Sequence, residues 1–106
     1  MIVRATDGVR RQFKGATFDV LATGEHMMVT RMRYQAGDHV PPHQHPNEQA
    51  GYVTSGKYRI RFGDYDEVLQ AGDTCAIPMD VQHTIDALEA GEVIDVFSPP
   101  REDCMA

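Results

Sequence analysis

Polar and apolar residues alternate along most of this 106-residue chain. From Met27 to Tyr34 two sets interleave: Met28, Thr30, Met32 and Tyr34 against Met27, Val29, Arg31 and Arg33. A period of two is that of a strand with one face buried. Further runs cover Gln49 to Thr54, Lys57 to Phe62, Tyr65 to Leu69, Thr74 to Ile77, His83 to Ala87 and Val93 to Ser98. Glycine-bearing turns separate them at Ser55-Gly56, Gly63-Asp64, Ala71-Gly72-Asp73 and Ala90-Gly91. Short strands at this spacing predict an all-β sandwich or barrel. Arg10 to Ala22 is also expected to be extended. No apolar stripe at helical spacing exceeds two turns. Pro99-Pro100 ends the last strand, and the tail from Arg101 to Ala106 is expected to fray.

Length and composition narrow this picture without changing it. A chain of this size makes one domain with a small core, 1–106. The hydrophobic fraction of 42% and charged fraction of 25% are ordinary for a globular protein. Ten basic against sixteen acidic residues leave a net charge of −6, with no Lys/Arg cluster. That excludes nucleic acid and anionic membrane as expected partners. No run approaches the roughly 20 apolar residues of a membrane-spanning helix. The start, MIVRATDGVRRQF, has no hydrophobic signal region, and Cys75 and Cys104 form no CxxC pair. A cytoplasmic protein with reduced thiols is expected. Cys75 reads as an inert core residue, and Cys104, in the tail, is assigned no chemistry.

Candidate chemistry concentrates in the histidines. His43 and His45 share a parity that lets both face one cavity if the segment is a strand. Gln49 has the same parity, although Pro46 interrupts. His83 follows Pro78-Met79-Asp80. Three imidazoles and one oxygen donor suit a first-row transition metal with open coordination positions. The competing reading makes His43 and His45 a solvated loop edge. Glu48 is an alternative oxygen donor of the wrong parity. His39 is a candidate supporting residue or a surface group, and His26 reads as a turn residue. On the last strand, Val93, Asp95 and Phe97 share one face while Ile94 and Val96 share the other. A carboxyl between Val93 and Phe97 is costly to bury unless paired or used. If the face points inward, apolar walls raise its pKa toward an acid/base range. Arg101, past the diproline, is placed to turn back over the mouth and grip a carboxylate. The bland alternatives are a half-exposed Asp95 paired to an arginine, and a mobile Arg101.

The spacing resembles the cupin family. Its first motif matches Gly37, five residues, His43-Gln44-His45, three residues, Gln49, six residues and Gly56, with Gln where Glu is usual. Its second matches Gly72, five residues, Pro78-Met79-Asp80, two residues and His83, with Asp80 in place of Gly and Ala87 in place of Asn. The motifs fall within 37–56 and 72–87. The resemblance implies a double-stranded β-helix, the jelly-roll barrel of RmlC-like proteins. It also implies one divalent metal (Zn, Ni, Fe, Co, Mn or Cu). A Gln ligand brings no charge, which would leave the metal a stronger Lewis acid.

A narrower resemblance is to pectin-degradation cupins of the KdgF type. It is carried by the run from Glu92 to Asp103, by His45-Pro46-Asn47-Glu48-Gln49 with Gly51-Tyr52-Val53, and by Gly24-Glu25-His26-Met27-Met28. It implies opening of 4,5-unsaturated uronates to linear keto forms. It further implies metal ligands His43, His45, Gln49 and His83, catalytic Asp95 and Arg101, and a pocket lined by Phe97, with Arg101 holding the carboxylate of the sugar acid. Competing functions are a cupin dioxygenase and a non-catalytic sugar- or metal-binding cupin. Since related cupins are commonly dimers, and Ile94 and Val96 need cover, a homodimer is expected.

Overall fold

The computed structural model describes residues 1–105, with the backbone alone at 104 and 105, so the Cys104 thiol lies outside the described residues. Ten strands fill it: β1 (Val9–Phe13), β2 (Ala16–Thr23), β3 (Met28–Tyr34), β4 (His39–His43), β5 (Glu48–Val53), β6 (Lys57–Phe62), β7 (Tyr65–Gln70), β8 (Thr74–Ile77), β9 (His83–Glu89) and β10 (Gly91–Ser98). One helical turn, α1 (Glu102–Met105), follows. No described helix is long and apolar enough to cross a membrane. The strands form two antiparallel sheets, in the orders β1-β2-β3-β10-β5-β8 and β4-β9-β6-β7. This is the expected all-β jelly roll. The alternation in β3 is realised residue by residue: Met28, Thr30, Met32 and Tyr34 are buried, and the residues between them are half-buried. Met28, Met32 and Tyr34, with Ala16, Phe18, Val40, Val53, Tyr58, Ala87, Val93 and Phe97, make the core between the sheets.

Two expectations need correction. Arg10 to Ala22 is not one extended run but a hairpin, turned by Lys14 and Gly15 with φ of 46° and 88°. A two-residue hairpin of type I′ has positive φ at both positions, where Asn-Gly is the usual signal; a lysine there hid the turn. Pro41 and Pro42 lie inside β4. That strand is at the edge of its sheet and shifts register between Val40 and His43, the setting in which proline costs no ladder bond. The tail does not fray at its start. Arg101 is only 5% exposed, and its N–H donates to Met28 Sδ at 3.1 Å.

On the outer face of the larger sheet, Asp19 is 2% exposed and accepts hydrogen bonds from Arg10 Nε (2.9 Å), Arg31 Nη2 (2.7 Å) and Arg33 Nε (3.0 Å). Burial pushes this carboxyl up, but the three guanidinium contacts outweigh it and hold Asp19 well below the ordinary carboxylate range.

Candidate metal centre

One end of the barrel gathers the histidines. His43 closes β4 and sits opposite His83, the first residue of β9. His45 lies two residues beyond β4, in a connection held down by Asn47, whose Nδ2 donates to Pro99 O at 2.6 Å. Gln49 enters with β5 opposite Phe97 of β10. The ring centroids of His43 and His83 are 4.2 Å apart, and those of His45 and His83 are 4.9 Å apart. One ligand-type nitrogen from each of the three falls within 4.8 Å of the others.

The backbone sets the tautomers. Nδ1 of His43 meets Pro41 O at 3.0 Å, Nδ1 of His45 meets Asn47 O at 3.0 Å, and Nδ1 of His83 meets Val81 O at 2.9 Å. A carbonyl oxygen only accepts, so each Nδ1 carries the proton and each Nε2 presents a lone pair, the orientation that metal-binding imidazoles need. Burial lowers all three pKa values, and the nearby Arg101 charge lowers them further. The rings are therefore kept neutral and ready to ligate. His45 Nε2 then meets Gln49 Oε1 at 3.1 Å. The Gln49 amide presents its oxygen to His45. Two acceptors opposed at this distance repel unless a cation lies between them, and the donor set of three imidazoles and an amide oxygen fits a divalent transition metal.

Asp95 is 6% exposed and points into the barrel. It sits in a transverse row opposite Thr30 of β3 on one side and Gly51 of β5 on the other, and Gly51 in turn faces Cys75 of β8. A Cβ on Gly51 would come within 3.0 Å of Asp95 Oδ1 and 3.2 Å of Cys75 Sγ. The missing side chain is what makes room for the carboxyl. Burial pushes Asp95 up to about 7, against the pull of the Gln49 hydrogen bond and the Arg101 charge. Burial and the Asp95 charge likewise push the Cys75 thiol up to about 11. At neutral pH that thiol is protonated, but it is half-buried on the edge strand β8 and not in the core, where the sequence reading expects it.

His43, Gln49, His83, Asp95, Phe97 and Arg101 line one cavity of about 60 Å³. The Arg101 guanidinium lies 5.1 Å from the Phe97 ring centroid and 4.7 Å from that of Phe13. Glu48 points outward and is exposed, which leaves Gln49 as the oxygen donor at the centre. His39 is exposed and paired with Asp86 at 2.6 Å, away from the centre. His26 is exposed and offers only its backbone oxygen, to Ser98 Oγ. The sequence reading missed Phe13, Asn47, Gly51 and Asp103. Gly51 had a signal, a glycine at an inward position of an alternating strand. Phe13 had none once the hairpin turn was missed.

A family model described as Cupin domain matches residues 30–97. No curated protein sequence matches the chain significantly. Among solved structures, KdgF from Halomonas sp. is 27% identical at a TM-score of 0.89, covering 98% of this chain and 99% of that one. An RmlC-like cupin from Shewanella frigidimarina is 26% identical, also at 0.89, covering 97% and 94%. A Bacillus subtilis oxalate decarboxylase variant is similar in fold alone, 24% identical at 0.79, covering 89% of this chain and 28% of that one.

Proposed function

The chain belongs to the cupin family, and from that premise we propose that it is a metal-dependent enzyme that opens 4,5-unsaturated uronates, from pectin or alginate breakdown, to linear keto forms. The observation that carries this reading is the convergence of three imidazole lone pairs and an amide oxygen beside a cavity whose wall holds one buried carboxyl. The overall likeness to KdgF along nearly the whole of both chains supports it, as does the resemblance in the Glu92–Asp103 run.

His43, His45, His83 and Gln49 would hold a divalent transition metal. When bound, it supplies Lewis acidity toward substrate oxygens. Asp95 handles the protons. As the hemiacetal C1–O5 bond opens, the C1 hydroxyl proton leaves. As the resulting enolate ketonises, a proton is added at C4. The two transfers balance, so one carboxyl that accepts and then donates is sufficient, and a pKa near neutrality suits both steps. Arg101 holds the substrate carboxylate through charge-assisted hydrogen bonds, with Phe97 as an apolar wall. A cavity of about 60 Å³ takes a few water-sized groups. The sugar therefore enters by one edge, and the rest of its ring lies toward the mouth.

The protein acts as a homodimer in this reading. Ile94 and Val96 are half-buried on the outer face, and exposed Tyr52 and Ala50 lie opposite them on β5, bordering a shallow groove. A cytoplasmic, reducing setting suits the free Cys75 thiol.

The test is a ¹H-NMR time course on unsaturated galacturonate with protein loaded separately with each candidate metal. Faster appearance of linear keto signals than in buffer, without oxygen uptake, is expected. His43→Ala and His83→Ala should lose most of the bound metal by elemental analysis. Oxygen consumption would point to a dioxygenase. Binding without turnover would point to a sugar-binding cupin.

A further inference from the structure

Arg101 is held from three sides. Its guanidinium lies over the Phe13 ring and over the Phe97 ring. At its edge, Nε donates to Asp103 Oδ1 at 3.1 Å and Nη2 to Asp103 Oδ2 at 2.6 Å. A guanidinium has five N–H donors. This grip uses the Nε proton and one on Nη2, which leaves three donors, all at the Nη1/Nη2 end. Arg101 lines the cavity whereas Asp103 does not, and the Asp103 side chain is about half exposed. The acid thus grips the arginine from the solvent side.

We infer that Asp103 is a positioning residue that fixes which end of the Arg101 guanidinium faces the cavity, and so makes that end the carboxylate-recognition fork. This rests on the reading of Arg101 given above. A long side chain loses much rotamer freedom on being ordered. Here two rings and a carboxylate have imposed that order before any ligand arrives, so a ligand carboxylate meets a fork already set. Phe13 comes from the N-terminal hairpin and Asp103 from the C-terminal turn. Both lie outside residues 30–97, the segment matched by the family model. The recognition end of the site is therefore assembled from segments on either side of that match.

The test uses metal-loaded full-length protein, with galacturonate and methyl galactoside as probes, one with a carboxylate and one without. Asp103→Asn should weaken galacturonate binding about tenfold, the lower end of what a hydrogen bond to a charged group contributes, and leave the methyl galactoside unchanged. Asp103→Glu should restore much of the loss. Tighter galacturonate binding in Asp103→Asn would overturn the inference, because it would make Asp103 a competitor for the fork. A second readout needs no ligand: the Arg101 Nε–H signal in ¹⁵N NMR should exchange slowly with water in the wild type and fast in Asp103→Asn. Slow exchange in both would also overturn it. Failure of the underlying reading shows differently, as Arg101→Ala binding galacturonate like the wild type while the Nε–H signal still depends on Asp103.

Discussion

Asp19 and Asp95 are both almost fully buried carboxyls on the six-stranded sheet, one on its outer and one on its inner face, yet their surroundings drive them in opposite directions. Asp19 is met by three guanidinium groups and is held well below the ordinary carboxylate range. Asp95 has one amide contact and one guanidinium charge, and rises to about 7. Burial penalises the charge in both cases. The count and closeness of cationic partners decides the outcome. Asp19 is permanently ionised and ties β1, β2 and β3 together. Asp95 is poised to change state. A buried acid therefore signals chemistry only where its partners are too few to lock its charge.

The strongest way to break this contrast is to remove each charge in turn. Asp95→Asn keeps size and polarity but cannot take a proton. Its turnover on an unsaturated uronate should fall by on the order of 10²-fold or more, with metal content and substrate binding largely kept. Asp19→Asn should do the reverse: turnover stays near wild type while urea denaturation shows a loss of about 2 kcal/mol, in the range for charge-assisted hydrogen bonds. Wild-type turnover in Asp95→Asn would remove it as the proton carrier.

Next in size is Gly51→Ala. The added methyl meets Asp95 Oδ1 at 3.0 Å and Cys75 Sγ at 3.2 Å, so one of them must give. If the carboxyl moves, turnover drops roughly tenfold, since small displacements of a catalytic group are costly. Combining Gly51→Ala with Cys75→Ala gives the methyl room on the β8 side and should recover part of the rate. A Gly51→Ala enzyme with full activity would mean that the thiol alone yields.

These residues also show where sequence reasoning reaches and where it stops. Strands β3 and β6 to β10 were legible because apolar residues recur along them and glycine turns separate most of them. The histidine pair, Gln49 and His83 were legible because motif spacing survives without any knowledge of packing, and Asp95 stood out as the lone acid on an apolar face. Asp19 was not legible. Its three arginines come from β1 and β3, and only the register across the hairpin brings them together. Arg101 was named for its likeness to a family position, but its contact with Phe13 depends on a turn that carries lysine where asparagine or glycine is usual. The Asp19 and Phe13 contacts are pairings between distant segments, which local pattern does not encode.

A smaller effect is the acid limb of stability. A carboxyl whose pKa is lowered on folding contributes stability at pH values above its unfolded pKa, near 4, and that contribution is lost as pH falls below it. The Asp19 shift has that sign. Wild type should therefore exceed Asp19→Asn in stability at neutral pH, and the gap should close as pH drops from about 4 toward 2. A gap that stays constant across that range would mean that the carboxylate charge is not what stabilises the sheet.

The smallest effect uses Cys75 as a reporter of the Asp95 charge. Burial is the main cause of its raised pKa of about 11, and the facing Asp95 adds to it. The thiolate is the reactive form, and at pH 8 only about one thiol in a thousand ionises at that pKa. Iodoacetamide should therefore modify Cys75 far more slowly than an ordinary exposed thiol, as read by peptide mapping, which separates it from Cys104. Asp95→Asn removes a negative charge reached across Gly51, so Cys75 should react faster, by roughly two- to fivefold for a contribution of under 1 kcal/mol. Most of the protection should remain, because burial is unchanged. Asp19→Asn, on the opposite face of the sheet, should leave the rate untouched. Equal rates in all three proteins would mean that Asp95 carries no charge that Cys75 can feel at pH 8, and the contrast between the two carboxyls would then rest on Asp19 alone.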